Sequence, residues 1–397
     1  MSDVSDNVEL PNQPVPGTGK RDLEYYAQIL EEARSIKGTS LWQDAWKQLK
    51  RNRAAMVSLV FLVLLAVLAF FTPLLPLQSP IYQDIEQRQL SAPSLSAVRL
   101  YPESIFENDE QLPELSDASK IASRKQEILV STLWNNPGTI SQWLIKMRLS
   151  IFGTWSLPSL CGTDNLGRDV LSRVFWGARV SIIVGIVATF VSLLIGVSYG
   201  AISGFMGGKV DNIMMRIVDV IYSVPFIFVV IFMITIVKED QIAEVLEKWG
   251  IDQIKVFFIM IGMIYWLTMA RVVRGQVISL KNEQFVEAAR AIGASPTRII
   301  FKHLIPNVMG IVIVYLTLTI PAVMRFEAFL SFLGLGVEAP DVSWGLLVNE
   351  GIQVITPIKT YGWLVLYPGL TLALTLFALS FLGDGLRDAL DPKMKNK

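Results

Sequence analysis

Six windows of about 18 to 25 residues dominate the chain, at 54–75, 180–203, 213–237, 256–273, 307–330 and 361–383, and each can cross roughly 30 Å of hydrocarbon as a helix. Together they hold only five charged side chains: Arg216, Asp219, Arg271, Arg325 and Glu327. With 52% of its 397 residues hydrophobic and a mean hydropathy of +0.46, the chain reads as an all-α membrane protein with six transmembrane helices.

The rest of the composition excludes several chemistries. Lys+Arg and Asp+Glu balance at 35 each, so no basic face for nucleic acid is expected. One cysteine, Cys161, allows neither an intramolecular disulfide framework nor a cysteine zinc cluster. The lone His303 removes imidazole triads and paired-histidine metal sites. The one glycine-lysine cluster, at 17–20, lacks the earlier Gly of a phosphate-binding loop and has Arg21 where Ser or Thr would hold magnesium. No cofactor is therefore expected in this chain.

Orientation follows from Lys and Arg in the short loops. The connector 274–306 carries Arg274, Lys281, Arg290, Arg298 and Lys302, and the tail 384–397 carries Arg387, Lys393, Lys395 and Lys397. Both are assigned to the cytoplasm. The loops 238–255 and 331–360, with Glu239, Asp240, Glu244, Glu247, Glu338, Asp341 and Glu350, are assigned outside. The expected division is a cytoplasmic segment 1–53, a first span 54–75, an enlarged external loop 76–179, a five-helix core 180–383 containing the cytoplasmic connector, and the tail, with both termini cytoplasmic.

The first segment has Pro11, Pro14 and Pro16 and no secretory signal; its beginning is expected to be disordered, followed by helical spacing over 22–34. Ser40 is placed to cap an amphipathic helix through Trp42, Trp46 and Leu49, which with Lys47, Lys50, Arg51 and Arg53 would lie along the inner membrane surface. The long loop combines an acidic stretch, Glu103, Glu107, Asp109, Glu110, Glu114 and Asp117, with Trp134, Trp143 and Trp155, so part of it packs or lies at the interface.

The most informative short segment is the connector. It runs Glu283-Gln284-Phe285-Val286-Glu287-Ala288-Ala289-Arg290-Ala291-Ile292-Gly293 and continues to Lys302-His303-Leu304-Ile305-Pro306-Asn307. The spacing predicts a short helix ending at Gly293, which can take the left-handed cap conformation, and a following helix that begins near Pro306. Ala288 and Ala289 leave room for another surface to approach closely, with Glu287, Arg290 and Arg298 free to pair at its rim. On composition alone the segment is equally an ordinary solvated loop helix.

Glu287-Ala288-Ala289, then Gly293, then His303, Ile305 and Pro306 resemble the EAA motif of permease subunits of binding-protein-dependent ABC importers. His303 and Ile305 replace the usual Ile and Leu, and a His there is similar to the peptide-importer branch. A second segment, Gly162-Thr163-Asp164-Asn165-Leu166-Gly167-Arg168-Asp169, with Arg173 and Gly177-Ala178-Arg179, resembles the signature of the C-type permease of oligopeptide, dipeptide and nickel importers. Read only as chemistry, it is a charged element at the external face in which Asp169 and Arg173, one turn apart, could pair. Further likeness brings the resemblance to roughly residues 40–75 and 162–393, with the oligopeptide member most similar. The loop from about 77 to 160 is longer than expected for the family.

The resemblance implies a type I ABC importer permease fold. Glu287, Ala288, Ala289, Arg290, Gly293 and Pro306 would then form the coupling element that docks on a separate ATPase. The implied partners are a homologous permease subunit, two ATP-binding subunits holding ATP and magnesium, a periplasmic peptide-binding protein and the lipid of a bacterial inner membrane. It also implies that this chain translocates oligopeptides without being an enzyme. Dipeptides, nickel complexes and antimicrobial peptides are alternative cargoes.

Charges at membrane depth need partners or a polar cavity. Arg216 and Asp219, three apart, could satisfy each other, and Arg271 can snorkel. Arg325 and Glu327 are candidate pathway or gate residues, with a purely structural role as the alternative for Glu327. Pro225, Pro321 and Pro368 predict kinks. A secondary transporter would use such charges to bind a coupling ion, but it would leave the connector helix unexplained. An intramembrane enzyme would need facing catalytic groups, and no His or Cys lies in any of the six windows.

Overall fold

The computed structural model describes residues 41–85, 89–95, 106, 118–135, 137–153, 155–237, 239–249 and 253–390. The expected helix at 22–34, the acidic stretch 103–117 and the lysines at 393, 395 and 397 lie outside the described residues, or, for the stretch, almost entirely so.

Helix α1 (Leu41–Arg51) is the expected amphipathic element. Its Ala45 and Leu49 are buried with Ala55 and Ala389. Asn52 ends it and starts α2 (Arg53–Phe71), accepting from the Ala55 amide at 3.1 Å, which satisfies one of the free donors of a helix start. α2 closes in a tight turn, Thr72–Leu74. Within the long loop, α3 (Ala118–Trp134) and α4 (Thr139–Phe152) pack around Leu129, Leu133, Trp134, Ile145 and Leu149.

The core follows: α5 (Val170–Met206), α6 (Gly208–Ser223), α7 (Phe226–Val237), α8 (Asp240–Lys248), α9 (Gln253–Leu280), α10 (Gln284–Ala291), α11 (Pro296–Phe332), α12 (Trp344–Gln353) and α13 (Trp363–Leu390). Among the described residues, five helices are long and apolar enough to cross a membrane. α6 and α7, bent by 79° at the break between them, pass the same test when taken together and bring the number of candidate spans among the described residues to six. A kink was expected at Pro225; the structure has a full break instead. Val224, preceding the proline, is extended (φ −79°, ψ 123°), because the proline ring disfavours the helical conformation in the residue before it. Pro321 and Pro368, by contrast, lie within α11 and α13.

Two boundaries differ from the sequence reading. α5 starts at Val170, well before the apolar window, because Asp169 caps it: its carboxylate accepts the Ser172 amide at 2.8 Å. α11 starts at Pro296, with Ser295 as its cap, so Pro306 falls inside the helix. A π turn over Ile300–Leu304 precedes it. The wider turn gives space around the carbonyls that a proline ring would otherwise strike.

α5 and α9 meet along a glycine seam. A Cβ at Gly196 would stand 2.6 Å from Met269 Cβ, one at Gly204 would stand 2.8 Å from the Arg274 carbonyl, and one at Gly200 would press closer still on the Ala270 carbonyl. Small residues spaced by four let two helices approach backbone to backbone, where dispersion replaces the hydrophobic drive that lipid does not supply. One end of this pair packs on α10 and the start of α11, through Val277, Val286, Ala289, Ile299 and Leu304.

Candidate functional site

α10 is built to be held on one side and bare on the other. Val286 and Ala289, three apart, are buried in the core, while Glu287, Ala288, Arg290 and Ala291 are exposed. The helix stops as expected. Gly293 sits at φ +81°, its amide bonds the Arg290 carbonyl at 2.9 Å, and the Ala294 amide bonds Ala289 at 3.0 Å. This paired closure is favourable only with a residue that tolerates the left-handed region. A Cβ at Gly293 would meet nothing within 4 Å, so conformation alone demands the glycine there.

The turn presents Ile292, which is 86% exposed. An apolar side chain displayed at a helix end beside exposed charges has the composition of a contact centre with a polar rim. Arg290 stacks over Phe205 at 5.4 Å, which steadies its guanidinium on the rim. Of the residues singled out from sequence, Glu287, Ala288, Ala289, Arg290 and Gly293 are gathered here; Pro306 lies further along α11. Sequence reasoning passed over Ile292, although a large apolar residue directly before a capping glycine was a readable signal.

Arg325 and Glu327 are not brought together. Two residues apart on α11, they point to different sides. Glu327 is fully buried, accepting from Ser331 Oγ at 2.8 Å and Ser181 Oγ at 3.5 Å. Ser181 also accepts the Trp344 amide at 3.3 Å, so this network ties α11, α5 and the start of α12 together. Arg325 is exposed.

It is not the only exposed charge within the apolar windows. Asp219 on α6 pairs with Arg271 on α9 at 2.9 Å, with their side chains 63% and 41% exposed. The pairing expected between Asp219 and Arg216 is thus replaced, because the long Arg271 side chain crosses to α6, where it also lies 4.4 Å over the Tyr222 ring. A cleft of about 380 Å³ opens at the α6–α7 break, lined by Tyr222, Pro225, Phe226, Tyr265, Thr268 and Phe326 among others. Exposed charges within spans do not face acyl chains. This side of the chain therefore faces protein or water.

The external signature forms a closed charge cluster. Asp164 accepts from Arg168 Nε at 2.6 Å and Arg173 Nη1 at 2.7 Å. Glu350, on α12, accepts from Arg168 Nη2 at 3.3 Å and also from Arg173. The expectation for Arg173 was Asp169, one turn away; its carboxylate partners are instead Asp164 and Glu350, while Asp169 caps the helix. Trp344, buried, donates from its ring to the Val174 carbonyl at 2.9 Å. Nearby Cys161 is also buried, and burial together with the Asp169 charge pushes its thiol up to about 11.

The described residues thus form a bundle of apolar helices with a capped connector helix and exposed charges within the apolar windows. Residues 196–396 match the family described as binding-protein-dependent transport system inner membrane component, and the chain belongs to that family. Residues 40–93 match the N-terminal transmembrane domain of oligopeptide transport permease C. The dipeptide transport system permease protein DppC of Bacillus subtilis is 36% identical over 97% of this chain and 99% of its own length. The oligopeptide transport system permease protein OppC of Haemophilus influenzae is 37% identical, covering 96% and 97%, and OppC of Escherichia coli K12 is 36% identical, covering 94% and 96%. Among solved structures, the inward-facing MetNI methionine ABC transporter aligns over 55% of this chain and 96% of that one, at 19% identity and a TM-score of 0.43.

Proposed function

We propose that this chain is one of two permease subunits of an ATP-driven importer in a bacterial inner membrane, and that it conducts oligopeptides handed over by an external binding protein. ATP and magnesium belong to two separate ATPase subunits. This chain supplies geometry and no covalent chemistry. The observation that carries the reading is α10: a helix anchored by Val286 and Ala289, with Glu287, Ala288, Arg290 and Ile292 turned outward. In this reading both termini and α10 are cytoplasmic, as the Lys and Arg of the connector and tail indicate.

The mechanism is a biased two-state bundle. ATPase closure favours one arrangement of the spans through its differential contacts with α10, and ATP acts only as far as it distinguishes the two states. The pathway runs along the side that bears Arg325, Asp219–Arg271 and the cleft at the α6–α7 break, with the homologous permease completing it. Arg325 would then meet peptide carboxyl groups, while Glu327 holds α11 in place from behind. Peptides of varied sequence share backbone amides and terminal charges, and an aromatic cleft with few fixed charges suits them.

Dipeptides form the second reading, favoured by the similarity to DppC of Bacillus subtilis. Affinity purification from native membranes in mild detergent tests the assembly. Recovery of a second permease and two ATPases is expected, and a lone chain in the presence of ATP and vanadate would overturn it in favour of a secondary transporter. Uptake of labelled peptides of two to six residues, about one nanometre or two in extended length, separates the two cargoes.

A further inference from the structure

The helix α4 has two apolar sides, and only one has a partner among the described residues. Leu144, Ile145 and Leu149 are buried together with Ser141 and Arg148. Around the helix, Ile140, Trp143, Met147 and Ile151, spaced by three and four, are 65%, 63%, 38% and 58% exposed. Such spacing puts all four on one side of a helix. Thr139, Lys146 and Ser150, also exposed, form a polar edge beside them.

Where α4 sits decides what this stripe meets. Ser141 accepts from Arg179 Nη2 at 2.9 Å, and Arg179 immediately precedes the apolar window that opens at Val180. Arg179 also lies 4.9 Å over Trp176, which packs against the α3–α4 cluster. Arg148 donates to the carbonyls of Leu77 and Trp155, both at 3.1 Å, and Leu77 closely follows the turn that ends the first span. Two spans thus hold α4 at the level where their hydrocarbon-crossing parts stop. α5, at 37 residues, is about 55 Å long against roughly 30 Å of hydrocarbon, so its first turns stand outside the membrane and carry α4 at their base.

We propose that α4 is an in-plane helix of the outer membrane interface. Ile140, Trp143, Met147 and Ile151 lie among the upper acyl chains, and the Lys146 edge lies among the phosphates. The partner is phospholipid because Arg179 and Leu77 hold α4 beside the ends of two apolar spans, and because tryptophan beside a lysine edge is the composition of an interfacial helix. The consequence is that the enlarged loop is pinned to the bilayer and does not float above it. The inference requires only the membrane-spanning architecture and is independent of cargo.

The test uses the full chain, with any co-purifying subunits, in phosphatidylcholine vesicles, with Cys161→Ser as background. Met147→Cys, Ile151→Cys and, as reference, Ser131→Cys on α3 each carry a small fluorophore. Brominated phosphatidylcholine should quench the labels at 147 and 151 at least about threefold more than the label at 131, with aqueous iodide giving the reverse order. Equal iodide quenching at all three sites would overturn the proposal in favour of a water-facing surface. Protection from both quenchers, with crosslinking from 147 to another subunit, would overturn it in favour of a protein contact. Ile140→Cys gives an independent reading should either of the others fail to insert.

Discussion

The two family signatures of this chain end in opposite conditions. In one, Asp164, Arg168, Arg173 and Glu350 pair with one another: two acids meet two bases, nearly all buried. At the connector, Glu287 and Ile292 are exposed, and Arg290, also exposed, lies over Phe205 of the same chain. A conspicuous run of charged residues can therefore mean either a finished internal joint or an unfinished contact, and the difference lies in whether its partners belong to the same chain. The charge joint clamps α12 onto α5; the outward side of α10 has no such joint among the described residues.

Substitutions should separate the two. Arg173→Met leaves the Asp164 and Glu350 carboxylates with Arg168 as their one shared cation, and breaking one partner of a buried pair costs about 3–5 kcal/mol. A large fall in melting temperature in detergent is expected, and an unchanged melt would show the joint to be dispensable. The same closure should protect Cys161. With its thiol at about 11, the folded-state pKa is raised, so the thiolate is scarce at pH 8. Maleimide labelling should run on the order of a hundredfold slower than for a free thiol and recover on unfolding; rapid labelling of the intact protein would mean the joint opens readily.

At the connector the expected effect on folding is smaller and the effect on transport larger. Gly293→Val places a branched residue at φ +81° in free space, at a cost of about 1–2 kcal/mol. The protein should remain inserted while ATP hydrolysis loses its coupling to uptake, and normal uptake would sink the docking proposal. Ile292→Asp should leave stability within about 0.5 kcal/mol yet weaken ATPase binding roughly tenfold or more, as loss of a central apolar contact does. Full affinity in that variant would move the contact elsewhere on α10.

Much of this architecture is legible in the amino-acid sequence, because long apolar runs and capping glycines are local signals. The spans, the end of α10 and the amphipathic α1 all follow from spacing within a few turns. What escapes is whatever depends on distant residues. Glu350 counted only as an external acid, since nothing near it announces Arg173; Asp219 was paired with its neighbour Arg216 because a helix was assumed straight and alone. Pro306 looked like a helix start because a π turn, which makes room for an internal proline, leaves no mark in composition. Arg325 and Glu327 stood together in sequence but part company on the helix, one exposed and one sealed among serines.

The glycine seam between α5 and α9 bears on how a push would travel. Where side chains interlock, they can change rotamer and absorb part of a displacement. Between Gly196, Gly200 and Gly204 and the backbone of α9 no side chain intervenes on the α5 side, and so there is little to compress. The two helices are packed against each other along this seam, with α10 packed at one end. Should a partner displace α10, the two helices are expected to shift together, as a lever does.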